Sequence, residues 1–327
     1  MAVTAIGTNT VTAIARRYII PRIVDNVYGS NVLFSRWNKM NKIVIKGGTQ
    51  IEVPLMYTRM AAGGWYSGYQ LLNVQPTDSI QNGALAWKQA YSAVTVDGLT
   101  LLRTDGADSI VDYIATQFKQ AEMDLFDNLG GGLFSDGSNS LVLDGLYEVV
   151  DNGSVQSTYA TISHSSNSWW NAQIDSSTTT MTLLALNSLF MNCTSGGRSP
   201  TIIVSNNTNY SRYWNLNLTP QQFPVQPGGK DIQLAQSGFE NLLFNGVPWV
   251  TDSHAGATGG VTATQGGGPI MLNEDYFELI VSEMANFKLQ DFQTPVNQDA
   301  MTALLLWAGN LTCGNIARQG RFTALTA

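Results

Sequence analysis

Two histidines and two cysteines have the widest chemical reach in this chain, and their spacing keeps them apart. His164 and His254 each stand in a polar loop context and read as surface residues. With Cys193 and Cys313 scattered between and beyond them, no zinc-ligand spacing exists. Two cysteines also give no disulfide framework, which fits a reducing compartment. Gly228-Gly229-Lys230-Asp231 has part of a phosphate loop, but lacks the earlier glycine and the following Ser/Thr, so it reads as a plain turn. Gly130-Gly131-Gly132 would have to open a helix to cradle a phosphate, and here the run follows one. No Gly-x-Ser-x-Gly elbow occurs, and Glu274, Asp275 and Glu278 could pair without anything marking them as catalytic. The expectation is a protein that is not an enzyme, with no cofactor and no metal.

What remains is the chemistry of contact. Charged residues make up 13% of the chain, against roughly 25% in ordinary domains, and aromatics 10%. That balance fits a chain with much of its surface against other chains, although an extracellular β-protein shares the bias. The net charge of −7 conceals an asymmetry. Residues 1–46 carry Arg16, Arg17, Arg22, Arg36, Lys39, Lys42 and Lys46 against Asp25 alone, a net of +6, which leaves −13 for the rest. A basic arm on an acidic body can bind a neighbouring copy's body, with Glu122, Asp124 and Asp127 as candidate acceptors; a solvated helix face is the simpler alternative. The arm lacks interleaved stacking aromatics, so nucleic-acid contact reduces to non-specific attraction to a polyanion. No charged n-region precedes an apolar run at the start, and the longest late run, Ala303 to Ala308, is far below the ~20 residues of a membrane span. A soluble protein made in a cytoplasm is expected.

The element that organises the chain runs from Thr104 to Gly132. Ile110, Ile114, Phe118, Ala121, Leu125 and Leu129 recur at threes and fours on one helix face. Asp105 is a plausible N-cap, and the glycine run is expected to stop the helix at Leu129, a length of about 35 Å. Before it, Ile51, Val53 and Leu55 alternate with polar residues after a Gly47-Gly48 interruption, and a return strand spans roughly Leu85 to Asp97. Between them lies a tip rich in glycine and aromatics, with Trp65, Tyr66 and Tyr69. A hairpin with fifteen-residue strands would reach about 50 Å, beyond the ~20 Å radius of gyration of a compact globule this size. Such an arm would project, and its aromatic tip would need a receiving partner.

Residues 1–37 read as an arm, helix-like from Val11 and broken at Pro21, with Val24, Val27, Val32, Leu33 and Phe34 as later anchors. Leu141 to Val150 reads as a strand, and a polar loop with Trp169-Trp170 follows. Helices are expected at Met181–Cys193 and Asn207–Leu216, a strand at Thr201–Ser205, and a tight hairpin at Phe244-Asn245-Gly246-Val247. Ala255 to Gly268 reads as an outer loop; alternation through Tyr276, Glu278 and Ile280 and an apolar strand at Met301–Trp307 close the chain.

In that order, these parts resemble the major capsid proteins of tailed phages, whose fold is named after phage Hong Kong 97. Asp144-Gly145-Leu146-Tyr147-Glu148-Val149-Val150, Trp169-Trp170-Asn171, Pro200-Thr201-Ile202-Ile203-Val204, Asn209-Tyr210-Ser211-Arg212-Tyr213 and Phe244-Asn245-Gly246-Val247-Pro248 are similar to phrases of that family. So are Gly309-Asn310-Leu311-Thr312-Cys313-Gly314-Asn315 and Arg318-Gln319-Gly320-Arg321. The resemblance implies an α+β fold with an N-terminal arm at 1–41 and an extended β-hairpin loop at 42–98. It further implies a peripheral domain at 99–179 with the spine helix 104–132, a mixed α/β axial domain at 180–275, and a return to the peripheral domain at 276–327. It implies subunits that close head to tail into hexamers and pentamers of an icosahedral head enclosing double-stranded DNA, without membrane. In that setting Arg16, Arg17 and Arg22, the acids Glu122, Asp124 and Asp127, and Trp65, Tyr66 and Tyr69 are the expected assembly residues. A portal and a separate scaffolding protein would be partners, a decoration protein is compatible, and the location would be the virion after synthesis in the host bacterial cytoplasm. Residues 58–84 contain no lysine, so a covalent link like that of the family's type member is not expected. An encapsulin-like compartment shell, a carbohydrate-binding or adhesin-like module and a nucleotide-using enzyme are the competing readings.

Overall fold

The computed structural model describes residues 31–60, 62–72, 74–99, 107–218, 242–256, 268–294 and 299–325. Arg16, Arg17, Arg22, Asp105, the helix-like stretch from Val11, the turn at 228–231 and most of the Ala255–Gly268 loop lie outside these. The described chain starts with α1 (Val32–Met40), β1 (Lys42–Ile45), β2 (Ile51–Met56), β3 (Ile80–Leu85) and β4 (Lys88–Asp97). The long helix α2 (Ala107–Leu133) follows, then the one-turn α3 (Leu146–Val149), β5 (Thr158–Tyr159), β6 (Ile162–Ser163) and β7 (Gln173–Asp175). Next come α4 (Leu183–Cys193), β8 (Ile202–Ser205), α5 (Asn207–Leu218), β9 (Leu242–Phe244) and β10 (Val247–Thr251). Strands β11 (Ile270–Leu272), β12 (Phe277–Ser282), β13 (Lys288–Leu289), β14 (Ala300–Cys313) and β15 (Gly320–Phe322) complete it.

Two sheets carry the fold. In the first, β14 is the hub: β12 and β13 pair with it, β4 pairs with it over the whole stretch Lys88–Asp97, and β1 adds in parallel to β12. The second is mixed, ordered β7-β15-β11-β8-β10-β9. Two of its strands, at 173–175 and 320–322, come from outside residues 180–275. The β9–β10 turn is the one read from Asn245-Gly246: both residues have positive φ, as a two-residue hairpin of this kind requires. One large core joins α1, α2, α3 and the first sheet, and a smaller one around Leu186, Phe190, Tyr213 and Trp249 fills the second lobe.

The long helix is present, with Ala121, Leu125 and Leu129 buried, but it does not stop at the glycines. It runs through Gly130-Gly131-Gly132 to Leu133. Glycine costs a helix about 1 kcal/mol per residue against alanine, yet here close packing outweighs propensity: the side chain of Asn31 lies where a Cβ of Gly130 would stand, and its amide donates to the Phe126 carbonyl at 2.7 Å. On the facing strand, Ser92 Oγ donates to Asp124 at 3.1 Å, while Val94 and Val96 pack on Ala121 and Phe118.

Three expectations are corrected. The Leu141–Val150 run is not a strand; its centre is the helical turn α3, and Leu146, Tyr147, Val149 and Val150 are all buried, so an alternating pattern has no exposed side to read. Within the expected arm, Val32–Met40 form a helix, α1, that was not read from sequence; the anchors Leu33 and Phe34 are core, together with Trp37. And Lys42–Asp97 is not one long hairpin. Only β2 and β3 pair with each other, six residues against six; β1 and β4 both belong to the first sheet. The break falls where Trp87 donates its indole N–H to the Gly48 carbonyl at 3.0 Å, with Gly47 and Gly48 both at positive φ. The ladder spans about 20 Å rather than 50 Å.

Candidate assembly interface

The β2–β3 hairpin is seated at its base and bare at its tip. Ile51, Leu55 and Leu85 are buried in the main core. The β5–β6 turn, with Ala160 and Thr161 at φ near 50–65°, points the Ala160 carbonyl at the Ala84 N–H, 3.1 Å away. Positive φ at two residues with side chains is uncommon and stores strain; here it coincides with the seat of the hairpin. Gly83 lies against Ala160, and Tyr57 stacks on Trp169 at 5.8 Å between ring centroids. Tyr57 also donates its hydroxyl proton to the Asp78 carbonyl at 2.9 Å and its N–H to Ser79 at 3.1 Å. That closes the ladder.

Among the described residues of the loop beyond Tyr57, nothing apolar is covered. Trp65 and Tyr69 are as accessible as in an extended peptide (103% and 108%), Leu71 is 97% exposed, and Met60, Tyr66, Leu72 and Val74 are exposed with them. An isolated exposed leucine needs no explanation, whereas seven large apolar side chains exposed on one loop form the kind of surface for which a partner is the usual cover. Trp65, Tyr66 and Tyr69 are all exposed on this loop.

The acidic residues of α2 are placed differently from one another. Glu122 is exposed. Asp124 accepts from Ser92 and Asn128, and Asp127 lies 3.2 Å from His254 Nε2, so both have partners within the chain. Neither histidine is the freely exposed surface residue that the sequence reading expected: His164 is buried and His254 is largely covered. His254 is held against Asp127 where the β10 end meets α2; His164 is buried, its Nδ1 3.0 Å from the Asn171 side-chain oxygen. Polar neighbours in sequence did not reveal that tertiary packing covers both.

The ion pairs that hold the frame were not read from sequence, although Arg36 and Glu274 were each named there for other reasons. Arg321 is buried and contacts Asp151 at 3.1 Å, with its guanidinium over the Tyr147 ring. Arg36 grips Glu274 through two bonds of 2.7 and 2.9 Å. Lys88 lies 2.9 Å from Asp144, which also accepts from Asn310 at 2.7 Å. The signal available was slight: Asp151-Asn152-Gly153-Ser154 follows two valines, and Arg321 sits inside a short strand-like run. Burial raises the thiols of Cys193 and Cys313 to about 12, so neither is a nucleophile near neutral pH. Among the described residues no group of three His, Cys, Asp or Glu is placed to hold a metal, and no helix is long and apolar enough to cross a membrane.

Searches by family model and among curated proteins match nothing. Solved structures do match, over nearly the whole chain. The capsid asymmetric unit of cyanophage A-1(L) aligns with 13% identity and a TM-score of 0.65, covering 98% of this chain and 99% of that one. The capsid of a native GTA particle computed with C5 symmetry aligns at 11% identity and 0.62, covering 98% and 100%. The capsid of Myoviridae phage XM1 aligns at 11% and 0.56, covering 94% and 97%. The chain has the α+β fold of these phage and GTA capsid chains.

Proposed function

We propose that this chain is a structural major capsid protein that assembles through hexamers and pentamers into an icosahedral phage head around double-stranded DNA. One observation carries the reading: end-to-end likeness to capsid chains, combined with an anchored hairpin whose tip is entirely uncovered. In this reading residues 1–41 are the arm, 42–98 the extended loop, 99–179 and 276–327 the peripheral domain, and 180–275 the axial domain. Trp65, Tyr66 and Tyr69 dock on a neighbouring copy, which turns the hazard of exposed apolar surface into interface. Arg16, Arg17 and Arg22 meet a neighbour's spine helix, with Glu122 the acid best placed to receive them. The shell works by contact and carries out no reaction.

The shell is held without covalent links, since residues 58–84 offer no lysine. Scaffolding and portal proteins act as partners, a decoration protein is compatible, and the protein resides in the virion after synthesis in the bacterial cytoplasm. Electron microscopy and sedimentation of the expressed chain test the proposal. Closed particles above a megadalton, or isolated hexamers and pentamers, are expected; a chain that stays monomeric at high concentration overturns it. Closed shells loaded with a cell-encoded enzyme would instead favour a compartment.

A further inference from the structure

The segment from Phe134 to Gly145 links the end of α2 to α3 and is pinned by polar contacts. Ser135 Oγ donates to the Leu143 carbonyl at 2.6 Å, and Gln156 Nε2 to the Asp136 carbonyl at 3.1 Å. From β4, Lys88 donates to the Ser140 carbonyl at 2.8 Å and lies 2.9 Å from Asp144. From β14, Asn310 donates to Asp144 at 2.7 Å and accepts from its backbone N–H at 3.2 Å. Lys88 and Asn310 thus fasten the segment to the first sheet.

Into this cluster points Glu148 of α3. Its Oε2 is buried without a hydrogen-bond partner and touches the space over Gly137. The charged and titratable groups that face it are Asp136 and Asp144 from the linking segment, Lys88 from β4, and Tyr159 from β5. Lys88 against two aspartates already leaves a net of −1; an ionised Glu148 makes it −2 and competes for the one cation. A buried carboxylate oxygen without a donor disfavours the charged form, so this half-buried side chain is held more cheaply as the acid.

We infer that Glu148 is a proton-dependent clasp: as the acid it closes the Phe134–Gly145 segment onto the sheet, and losing its proton loosens that segment at the end of the long helix. Burial first, then Asp144, opposed by Lys88 and reinforced by Asp136, raises this carboxyl to about 7. An acid whose pKa is higher in the folded chain than its ordinary ~4.3 contributes stability that is full at low pH. That contribution fades as pH rises from ~4.3 towards 7 and is lost above it. The inference does not depend on the capsid reading.

Hydrogen exchange of the full chain, corrected for intrinsic rates, tests it between pH 5 and 8.5. Wild-type amides in 134–148 are expected to lose about tenfold or more in protection between pH 5 and 7 and to level off above it, while Glu148→Gln keeps its protection and melts several degrees higher than wild type at pH 8. Asp136→Asn, which removes one repelling charge, shifts the wild-type transition to lower pH and serves if the glutamine variant fails to fold. Protection that is flat with pH in wild type overturns the inference. So does a Glu148→Gln or Asp136→Asn variant that follows the wild-type curve.

Discussion

Arg36 and Glu274 are held in a two-bond clamp, 2.7 and 2.9 Å, that joins helix α1 to the turn before β12. Glu274 also accepts the Trp37 indole proton at 3.1 Å and the Thr201 hydroxyl proton at 3.2 Å, and so gathers three segments. The two partners are unequal: the Arg36 side chain is 39% exposed, that of Glu274 only 9%. Removing Glu274 strands a buried indole N–H and a hydroxyl; removing Arg36 leaves a carboxylate that still has two donors. Glu274→Ala is expected to cost about 2–3 kcal/mol and Arg36→Ala about 1 kcal/mol, read from urea midpoints. Equal losses would show that the clamp, rather than the whole cluster, carries the effect.

The buried Arg321–Asp151 pair is expected to contribute to acid stability. Burial disfavours the Asp151 carboxylate, but the Ser154 hydroxyl, the Val155 N–H, the Arg321 charge and the Gln156 N–H together outweigh it and hold its pKa below the usual value. Its contribution is therefore complete above the ordinary aspartate range near ~3.9 and disappears as pH falls through the lower folded value. Asp151→Asn, which leaves Arg321 buried without its counter-charge, should lose about 3 kcal/mol at pH 7. It should also flatten the acid limb of the unfolding curve below pH 4. An unchanged acid limb would count against Asp151 as its source.

Gly145 has no room for a side chain. A Cβ there would meet the backbone N–H and carbonyl of Ser135 and the Gly132 carbonyl, none of which can swing away. Gly145→Ala should destabilise by more than about 3 kcal/mol, near the upper end for single substitutions. Gly63→Ala and Gly64→Ala, with open space around them, should be nearly silent in the same thermal melts of the isolated subunit.

Trp65, Tyr66 and Tyr69 separate folding from assembly. Replacing all three by serine removes nothing from either core, so subunit melting should stay within about 0.5 kcal/mol of wild type. Assembled particles should fall apart at lower temperature or fail to form, as light scattering would record. Particles of wild-type heat stability would remove the tip from the interface.

Charge reversal at Arg16, Arg17 and Arg22 should impair assembly, most strongly in low salt where the ~10 Å Debye length of 0.1 M is exceeded, and leave the fold intact. Glu122→Lys in the same chain should restore part of the loss. Normal assembly of the reversed arm at moderate salt would show that these arginines have no acidic partner.

What sequence could and could not reveal follows from which force decides each element. α2, α4, β8, α5 and the Asn245-Gly246 turn were legible because periodicity or a local backbone requirement sets them. The end of α2 was not, since three glycines forecast a stop that Asn31, distant in sequence, overrides. β4 looked like the return strand of the hairpin because alternation shows which face is buried, not which strand lies alongside. At the site, the aromatic tip was visible because exposed tryptophan and tyrosine among glycines have few other readings. Its seat on Ala160, the Glu274 cluster and the Arg321–Asp151 pair were hidden, because each pairs residues far apart along the chain.

That distance has a temporal side. The ten-residue register between β4 and β14 joins Lys88 to Gly309 and Asp97 to Ala300, so β4 can pack on α2 early but has no strand partner until residues 300–309 have left the ribosome. Contacts of such separation make folding slow. They also make it late: a truncated or still-growing chain lacks the strand that steadies the root of its hairpin, and only finished molecules can offer that hairpin to one another.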